Sequence, residues 1–167
     1  MSFVIFRDQK SFMQYFRQFP GADVETLYKT LVDEEYKELQ EAWVAYEQAP
    51  TAEAVTEIAD ACLDLIYVAT GLMHGLGLDP QPLWNEVHRS NVDKIKHPCE
   101  ACNENGQVPL EHADISCPDC KGQRFIYEAR YREDGKVLKP DHWQPPQLLG
   151  MVAAMRDGQW TGVVPEV

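Results

Sequence analysis

The chain has 167 residues, 44% of them hydrophobic and 25% charged, with 15 basic against 27 acidic side chains and a formal charge of −12. This is the size and composition of one ordinary folded domain with at most a small appendage. The acidic surplus argues against a protein held on DNA or on a membrane surface by general electrostatics. Nucleotides stay open, because carboxylates bind polyphosphates when divalent cations lie between the two. No apolar run approaches the ~20 residues that cross a bilayer. The apolar patch from Phe3 to Phe6 has neither a basic leader nor a cleavage region, so no signal segment is read and a cytoplasmic setting is expected.

Residues 11–19 read as a short helix before Pro20 and Gly21. Residues 23–48 contain neither Gly nor Pro. Val24, Leu27, Tyr28, Leu31, Leu39, Ala42, Trp43 and Tyr46 recur there at three- and four-residue intervals, which predicts a helix about 39 Å long. Pro50 ends it, and Thr51 is a candidate N-cap for a second long helix over 52–74. Val55, Ile58, Ala59, Cys62, Leu65, Ile66, Ala69, Leu72 and Met73 give that helix a broad apolar face, and Cys62 is expected to be a buried core thiol. Gly75 and Gly77 stop it. Asp79 and Pro80 have the form of a cap followed by a first-turn proline, and Leu83, Trp84, Val87, Asn91 and Ile95 continue a third helix. Composition changes at His97 and Pro98, where a cysteine-containing stretch begins. Residues 124–132 alternate enough for a strand, Asp134 and Gly135 mark a turn, and 147–155 predict a last helix.

The acids fall in a pattern. Glu34, Glu35 and Glu38 project from adjoining parts of one face of the first long helix, and Glu57, Asp60 and Asp64 repeat the arrangement on the second. Like charges at these spacings repel, so a compensating charge is expected. Leu31 and Leu39 flank the first group, and Ile58, Ala59, Leu65 and Ile66 the second. Antiparallel packing therefore brings both groups to one seam, where Mg²⁺ or Mn²⁺ finds the oxygen ligands it prefers. Two such ions about 3.5–4 Å apart hold a phosphoryl group. A solvated polar stripe is the simpler alternative.

Glu35 and Glu38 form an ExxE pattern, followed after 18 residues by Glu57 and Asp60 as ExxD. This ordered set resembles the paired motifs of the MazG-like all-α nucleoside triphosphate pyrophosphohydrolases. Segments 31–39 and 57–67 look like that family's metal-binding helices. Segments 86–94 and 134–140 look like its later nucleotide-site segments, especially in its phage and bacterial small-protein branch. The resemblance covers about 27–146 apart from the cysteine stretch. It implies an all-α bundle of long antiparallel helices that cleaves a nucleoside or deoxynucleoside triphosphate to the monophosphate and pyrophosphate. It implies Glu34, Glu35, Glu38, Glu57 and Asp60 as the catalytic set, with Glu35, Glu38, Glu57 and Asp60 holding Mg²⁺ or Mn²⁺. Glu34 then orients or deprotonates the attacking water or is itself a ligand. Asp64 ligates, supports a ligand, or pairs with Lys94. A homodimer or homotetramer in a bacterial or phage-infected cytoplasm is implied as well.

Asn91 and Lys94, three apart, suit ribose or a metal-bound water and a phosphate respectively, or else form an ordinary polar face. Lys136, Lys139 and Trp143 lie in a loop-like stretch suited to closing over a ligand. Either lysine suits phosphate, while Trp143 stacks on a base or anchors the C-terminal segment to the helices. His88 reads as structural rather than as a general base. The aromatic side chains favour a purine such as dGTP, with dUTP and dCTP as alternatives.

Cys99 and Cys102, then Cys117 and Cys120, are two CxxC pairs separated by 14 residues. Four thiolates so spaced close tetrahedrally on a structural Zn²⁺, as in a zinc ribbon or knuckle, whereas redox chemistry needs only one pair. His97 and His112 are spare donors. Glu100, Glu104, Glu111, Asp114 and Asp119 make this insertion acidic, and Lys121 and Arg124 come only at its end. Stable nucleic-acid binding is therefore not expected, and the insertion is expected to brace the site or another subunit. The expected organisation is a catalytic domain over 1–96 and 123–156, a zinc-binding insertion over 97–122 and a tail over 157–167. A zinc-containing helical adaptor without catalysis is the alternative. Carboxylates clustered beside a core are costly and unnecessary in an adaptor, which counts against it.

Overall fold

The computed structural model describes residues 4–102, 107–109 and 114–158. Helices α1 (Val4–Tyr15), α2 (Ala22–Gln48), α3 (Ala52–Gly75), α4 (Pro80–Val92) and α5 (Leu149–Arg156) make it an all-α fold. Strands are short and fall around the cysteine region: β1 (Lys96–Pro98) pairs antiparallel with β4 (Phe125–Tyr127), and β2 (Gln107–Pro109) with β3 (Asp114–Ser116). Among the described residues no single helix is long and apolar enough to cross a membrane. The chain divides into two compact units, Met1–Trp84 with Leu148–Val167, and Asn85–Gln147. His112, Glu104, Glu111 and the tail from residue 159 lie outside the described residues.

In the first unit α2 and α3 form a hairpin. The Thr51 hydroxyl accepts the Ala54 N–H at 3.2 Å, so the expected cap is formed. The helices run antiparallel, with Gly75 at the end of α3 lying against Val24 and Glu25 at the start of α2. Met13 of α1, Tyr28 of α2 and Val68 of α3 form the buried centre, packed round by Val24, Leu31, Val32, Leu65 and Leu72. The first helix covers Val4–Tyr15 rather than 11–19. Its inner face is Gln9 and Met13, four apart and both buried, and the polar Gln9 breaks the apolar period that a sequence reading depends on. Gln9 Nε2 donates to the Tyr28 hydroxyl at 3.2 Å, and that hydroxyl donates to Gln18 Oε1 at 2.9 Å.

The apolar face of α3 is divided between core and surface. Ala61, Leu65, Val68 and Leu72 turn inward, while Val55, Cys62, Leu63 and Ile66 are exposed, Leu63 by 62%. The expectation of a buried Cys62 is corrected: this thiol is exposed. It stands 100° round the helix from Ala61, the residue that does face inward.

Close approach of α3 to α2 requires a glycine at one place. A Cβ on Gly71 would lie 2.0 Å from Tyr28 Cε1 and 2.5 Å from Gln9 Nε2. Tyr28 is only 3% exposed and tied by two hydrogen bonds, so its ring has no free direction to move. Gly71→Ala is expected to destabilise by about 2–3 kcal/mol through overpacking, outweighing a helix-propensity gain of about 1 kcal/mol. Thermal denaturation should show a Tm lower by about 5–10 °C. Gly150→Ala in α5, where a Cβ meets nothing within 4 Å, is the matched control and should not lower Tm. Equal melting of the Gly71 variant and the wild type would refute the tight contact.

The second unit is built on the β1–β4 ladder, which pairs Lys96 with Tyr127, His97 with Ile126 and Pro98 with Phe125. Bonds from Glu128 N–H to the Ile95 carbonyl and from Cys99 N–H to the Arg124 carbonyl, both 2.8 Å, extend it at each end. Strand structure therefore covers Phe125–Tyr127 rather than all of 124–132. Beyond it Tyr131 bridges Val137 across a turn at Asp134 and Gly135, where Gly135 has φ 79° and Lys136 N–H donates to Asp134 Oδ1 at 3.1 Å. The last helix starts at Leu149 rather than 147, and Gln147 spends its N–H on the Glu86 carboxylate instead.

Candidate active site and metal centre

The two long helices of the hairpin carry the acids, and the charges of Asp60 and Asp64 on α3 reach Glu35 on α2. Glu35 is half-buried; Glu34, Glu38, Glu57, Asp60 and Asp64 are exposed. Burial pushes the Glu35 carboxyl above its ordinary range, and the charges of Glu38, Asp64, Glu34 and Asp60 push it further the same way. Five of the six acids singled out from the sequence thus share one electrostatic neighbourhood spanning α2 and α3. Glu57 lies one turn before Asp60 on α3. Among the described residues none of the six has an ion-pair partner: the α2 pairs are Lys29 with Asp33 and Lys37 with Glu41. A concentration of unneutralised oxygen donors suits hard divalent cations such as Mg²⁺ or Mn²⁺. In the same unit a cavity of about 220 Å³ is lined in part by Met13, Phe19, His74 and Leu78, and none of the acids lines it.

The four CxxC cysteines converge. Their sulfur atoms all lie within 4.8 Å of one another, with Cys99 to Cys117 at 3.7 Å and Cys102 to Cys120 at 3.6 Å. A tetrahedral ZnS₄ centre with Zn–S of about 2.3 Å places its sulfurs about 3.8 Å apart, whereas a disulfide needs about 2.05 Å. The spacing fits a metal and not a bond. Cys117 is fully buried, and Ile126 packs against the cluster. The turn after Cys117 is shaped for the purpose: Lys121, Gly122 and Arg124 have φ of 53°, 79° and 67°, which brings the Arg124 N–H to Cys120 Sγ at 3.3 Å. Desolvation opposes ionisation of Cys120, but hydrogen bonds from Cys102 and the Arg124 N–H outweigh it and hold this thiol at about 7. Burial pushes Cys102 up, reinforced by the Cys120 sulfur. His97 is not a competing ligand, since its Nε2 lies 3.2 Å from the Glu128 carbonyl across the β1–β4 pair.

Four of the five expected substrate residues, Asn91, Lys94, Lys139 and Trp143, come together in the second unit. Lys94 lies on a 3-10 turn, Asp93–Ile95, that continues α4, so it is not on the helix itself. Its Nζ donates to Asn91 Oδ1 at 2.5 Å and stands 5.8 Å from the centre of the Trp143 ring. Lys139 Nζ lies closer, 3.8 Å from that ring. The Trp143 indole N–H donates to the Ser90 carbonyl at 2.6 Å, so this side chain anchors its segment to α4. Lys136 lies in the Asp134 turn, where its carbonyl accepts the Arg132 N–H at 2.8 Å.

Sequence reasoning passed over Glu86 and Ser90, both buried on α4. Arg89 binds the Glu86 carboxylate through two nitrogens at 2.8 Å each, and Gln147 N–H binds it at 2.8 Å. The hydrogen bond from Arg89 holds this carboxyl below the ordinary range despite its desolvation. A signal was present in the i, i+3 pair of Glu86 and Arg89, but an exposed helix pair looks the same in sequence.

No curated protein matches the chain. Residues 14–91, which include all six acids and Asn91, match the family described as phosphoribosyl-ATP pyrophosphohydrolase (PRA-PH), part of the MazG-like all-α superfamily, and this domain indicates an enzyme of the pyrophosphohydrolase type.

Proposed function

We propose that the protein hydrolyses a nucleoside or deoxynucleoside triphosphate to the monophosphate and pyrophosphate. The observation that carries this reading is the unneutralised carboxylate set of α2 and α3, centred on a Glu35 whose carboxyl is pushed up by its acidic neighbours. Glu35, Glu38, Glu57 and Asp60 hold the divalent cations, with Asp64 beside them. Bound there, Mg²⁺ or Mn²⁺ supplies charge neutralisation for the triphosphate and a water of lowered pKa. Glu34 receives the proton of the attacking water. The water oxygen forms a new bond to phosphorus as the bridging P–O bond between the α- and β-phosphates breaks, and pyrophosphate leaves. Asn91, Lys94, Lys136 and Lys139 orient ribose and phosphates, and Trp143 borders the nucleotide.

The domain organisation we propose is a helical catalytic domain over 1–96 and 123–156, an insertion over 97–122 held by a structural Zn²⁺ on Cys99, Cys102, Cys117 and Cys120, and a tail over 157–167. Exposure of Val55, Cys62, Leu63 and Ile66 on α3 supports a homo-oligomer, dimer or tetramer, that covers this face.

The deciding experiment is a Mg²⁺-dependent hydrolysis screen over the common NTPs and dNTPs, with products resolved by ion-exchange chromatography. Monophosphate and pyrophosphate are expected, with dGTP as the best substrate. Orthophosphate as the sole initial product overturns the reaction; pyrophosphate from dUTP or dCTP rejects only the base. The PRA-PH match favours a second reading, in which phosphoribosyl-ATP is the substrate. That compound loses pyrophosphate at the same kind of junction and belongs in the same screen. A complete absence of turnover would favour the adaptor.

A further inference from the structure

We infer that Ser90 and Glu86 are positioning residues: they clip residues 140–147 across α4 and thereby hold the Lys139 ammonium group at the same indole as that of Lys94, as a polyphosphate-binding pair. The inference rests on the pyrophosphohydrolase reading and adds the groups that fix its cationic side.

Three hydrogen bonds fasten this segment, and each uses a group that burial would otherwise leave unpaired. Ser90 is one of the last four residues of α4, so its carbonyl has no i+4 donor within the helix. The Trp143 indole N–H supplies that donor at 2.6 Å. The Ser90 hydroxyl, on a residue 2% exposed, donates to the Gln144 carbonyl at 3.0 Å. The buried Glu86 carboxylate accepts the Gln147 N–H at 2.8 Å, and its charge is balanced by Arg89, which also reaches Asp93 at 2.5 Å. Leaving such polar groups unpaired in a buried place is costly, so the clip is strongly specified.

The consequence falls on two lysines. Trp143 N–H donates to the Pro140 carbonyl at 2.9 Å, a turn that folds Lys139 back over the indole. Pro140, Pro145 and Pro146 restrict the unfolded segment and reduce the entropy lost on docking. Lys139 then sits 3.8 Å and Lys94 5.8 Å from one ring centre, both within cation–π range. A free lysine on its four-carbon stem is a mobile point charge. Held against a clipped indole, it is placed before the ligand arrives, which lowers the cost of binding. Two ammonium groups held at one ring repel, and a multiply charged phosphate chain that contacts both offsets that repulsion.

The test uses the full-length protein and steady-state kinetics with the best substrate from the screen. Ser90→Ala and Trp143→Phe each remove one clip bond and are expected to raise KM about fivefold, with kcat within about twofold and an unchanged far-UV spectrum. Lys139→Ala raises KM by at least as much, and Lys139→Arg restores it. In the Lys139→Ala background, Ser90→Ala raises KM no further, because the clip acts through that lysine; a merely structural loss would multiply instead. Calorimetric titration with inorganic tripolyphosphate reads the same site without turnover, and Ser90→Ala should weaken it about fivefold as well. Unchanged KM in both clip variants, multiplying penalties with Lys139→Ala, or no tripolyphosphate binding by the wild type overturns the inference. A wild-type protein that binds tripolyphosphate through this pair but hydrolyses no nucleotide defeats the pyrophosphohydrolase reading alone.

Discussion

Glu38→Gln and Asp60→Asn are each expected to reduce Mg²⁺-dependent pyrophosphate release by at least about 100-fold, since loss of groups one step further from a metal already costs about 10–100-fold. Both substitutions keep size and hydrogen-bonding capacity and remove one negative charge. Both residues are exposed, so no core contact is lost. Both lie among the charges that push up the Glu35 carboxyl, and their removal relieves repulsion between α2 and α3. The metal-free variants should therefore melt no lower than the metal-free wild type while losing turnover. That combination separates a site defect from a folding defect. Full activity in both variants would refute the proposed site.

Removal of the metal from the cysteine cluster is the second large effect. The purified protein is expected to release about one Zn²⁺ per chain when its thiols are blocked, in keeping with a single four-sulfur centre. Zinc contributes about 10–16 kcal/mol of apparent binding energy in small zinc-finger peptides. The short β1–β4 and β2–β3 pairs have little else to hold them, as three-residue strands bury few side chains. Cys117→Ser replaces the fully buried member of the set with a poor ligand and should leave the segment from Cys99 to Cys120 open to protease. Limited proteolysis of the zinc-loaded, chelated and Cys117→Ser proteins measures this directly. Equal resistance in all three, with no zinc found, would sink the assignment.

Local chemistry was legible without the fold. Periodicity placed α2 and α3 to within a residue at each end, and Thr51 caps α3 as its residue type indicates. The CxxC pairs are local turns whose spacing already limits what four thiols can do, and the sulfurs do meet. The acids stand at three- and four-residue intervals within single helices, so their shared faces follow from helix geometry alone. That charges on α3 reach Glu35 on α2 needed only that the two helices pack antiparallel, which the short connection through residues 49–51 imposes.

Other features were decided only by tertiary structure. Gln9 breaks the pattern of α1 because its partner, the Tyr28 hydroxyl, is 19 residues away. Which side of α3 faces the core depends on the close approach at Gly71, and this leaves Cys62 outside despite its place in an apolar stripe. The clip joins Ser90 to Gln144 across 54 residues and Glu86 to Gln147 across 61. Periodicity reports which side chains avoid water, because that preference belongs to each residue. A polar group buried against a distant partner has no such signature, since its partner exists only once the chain has folded.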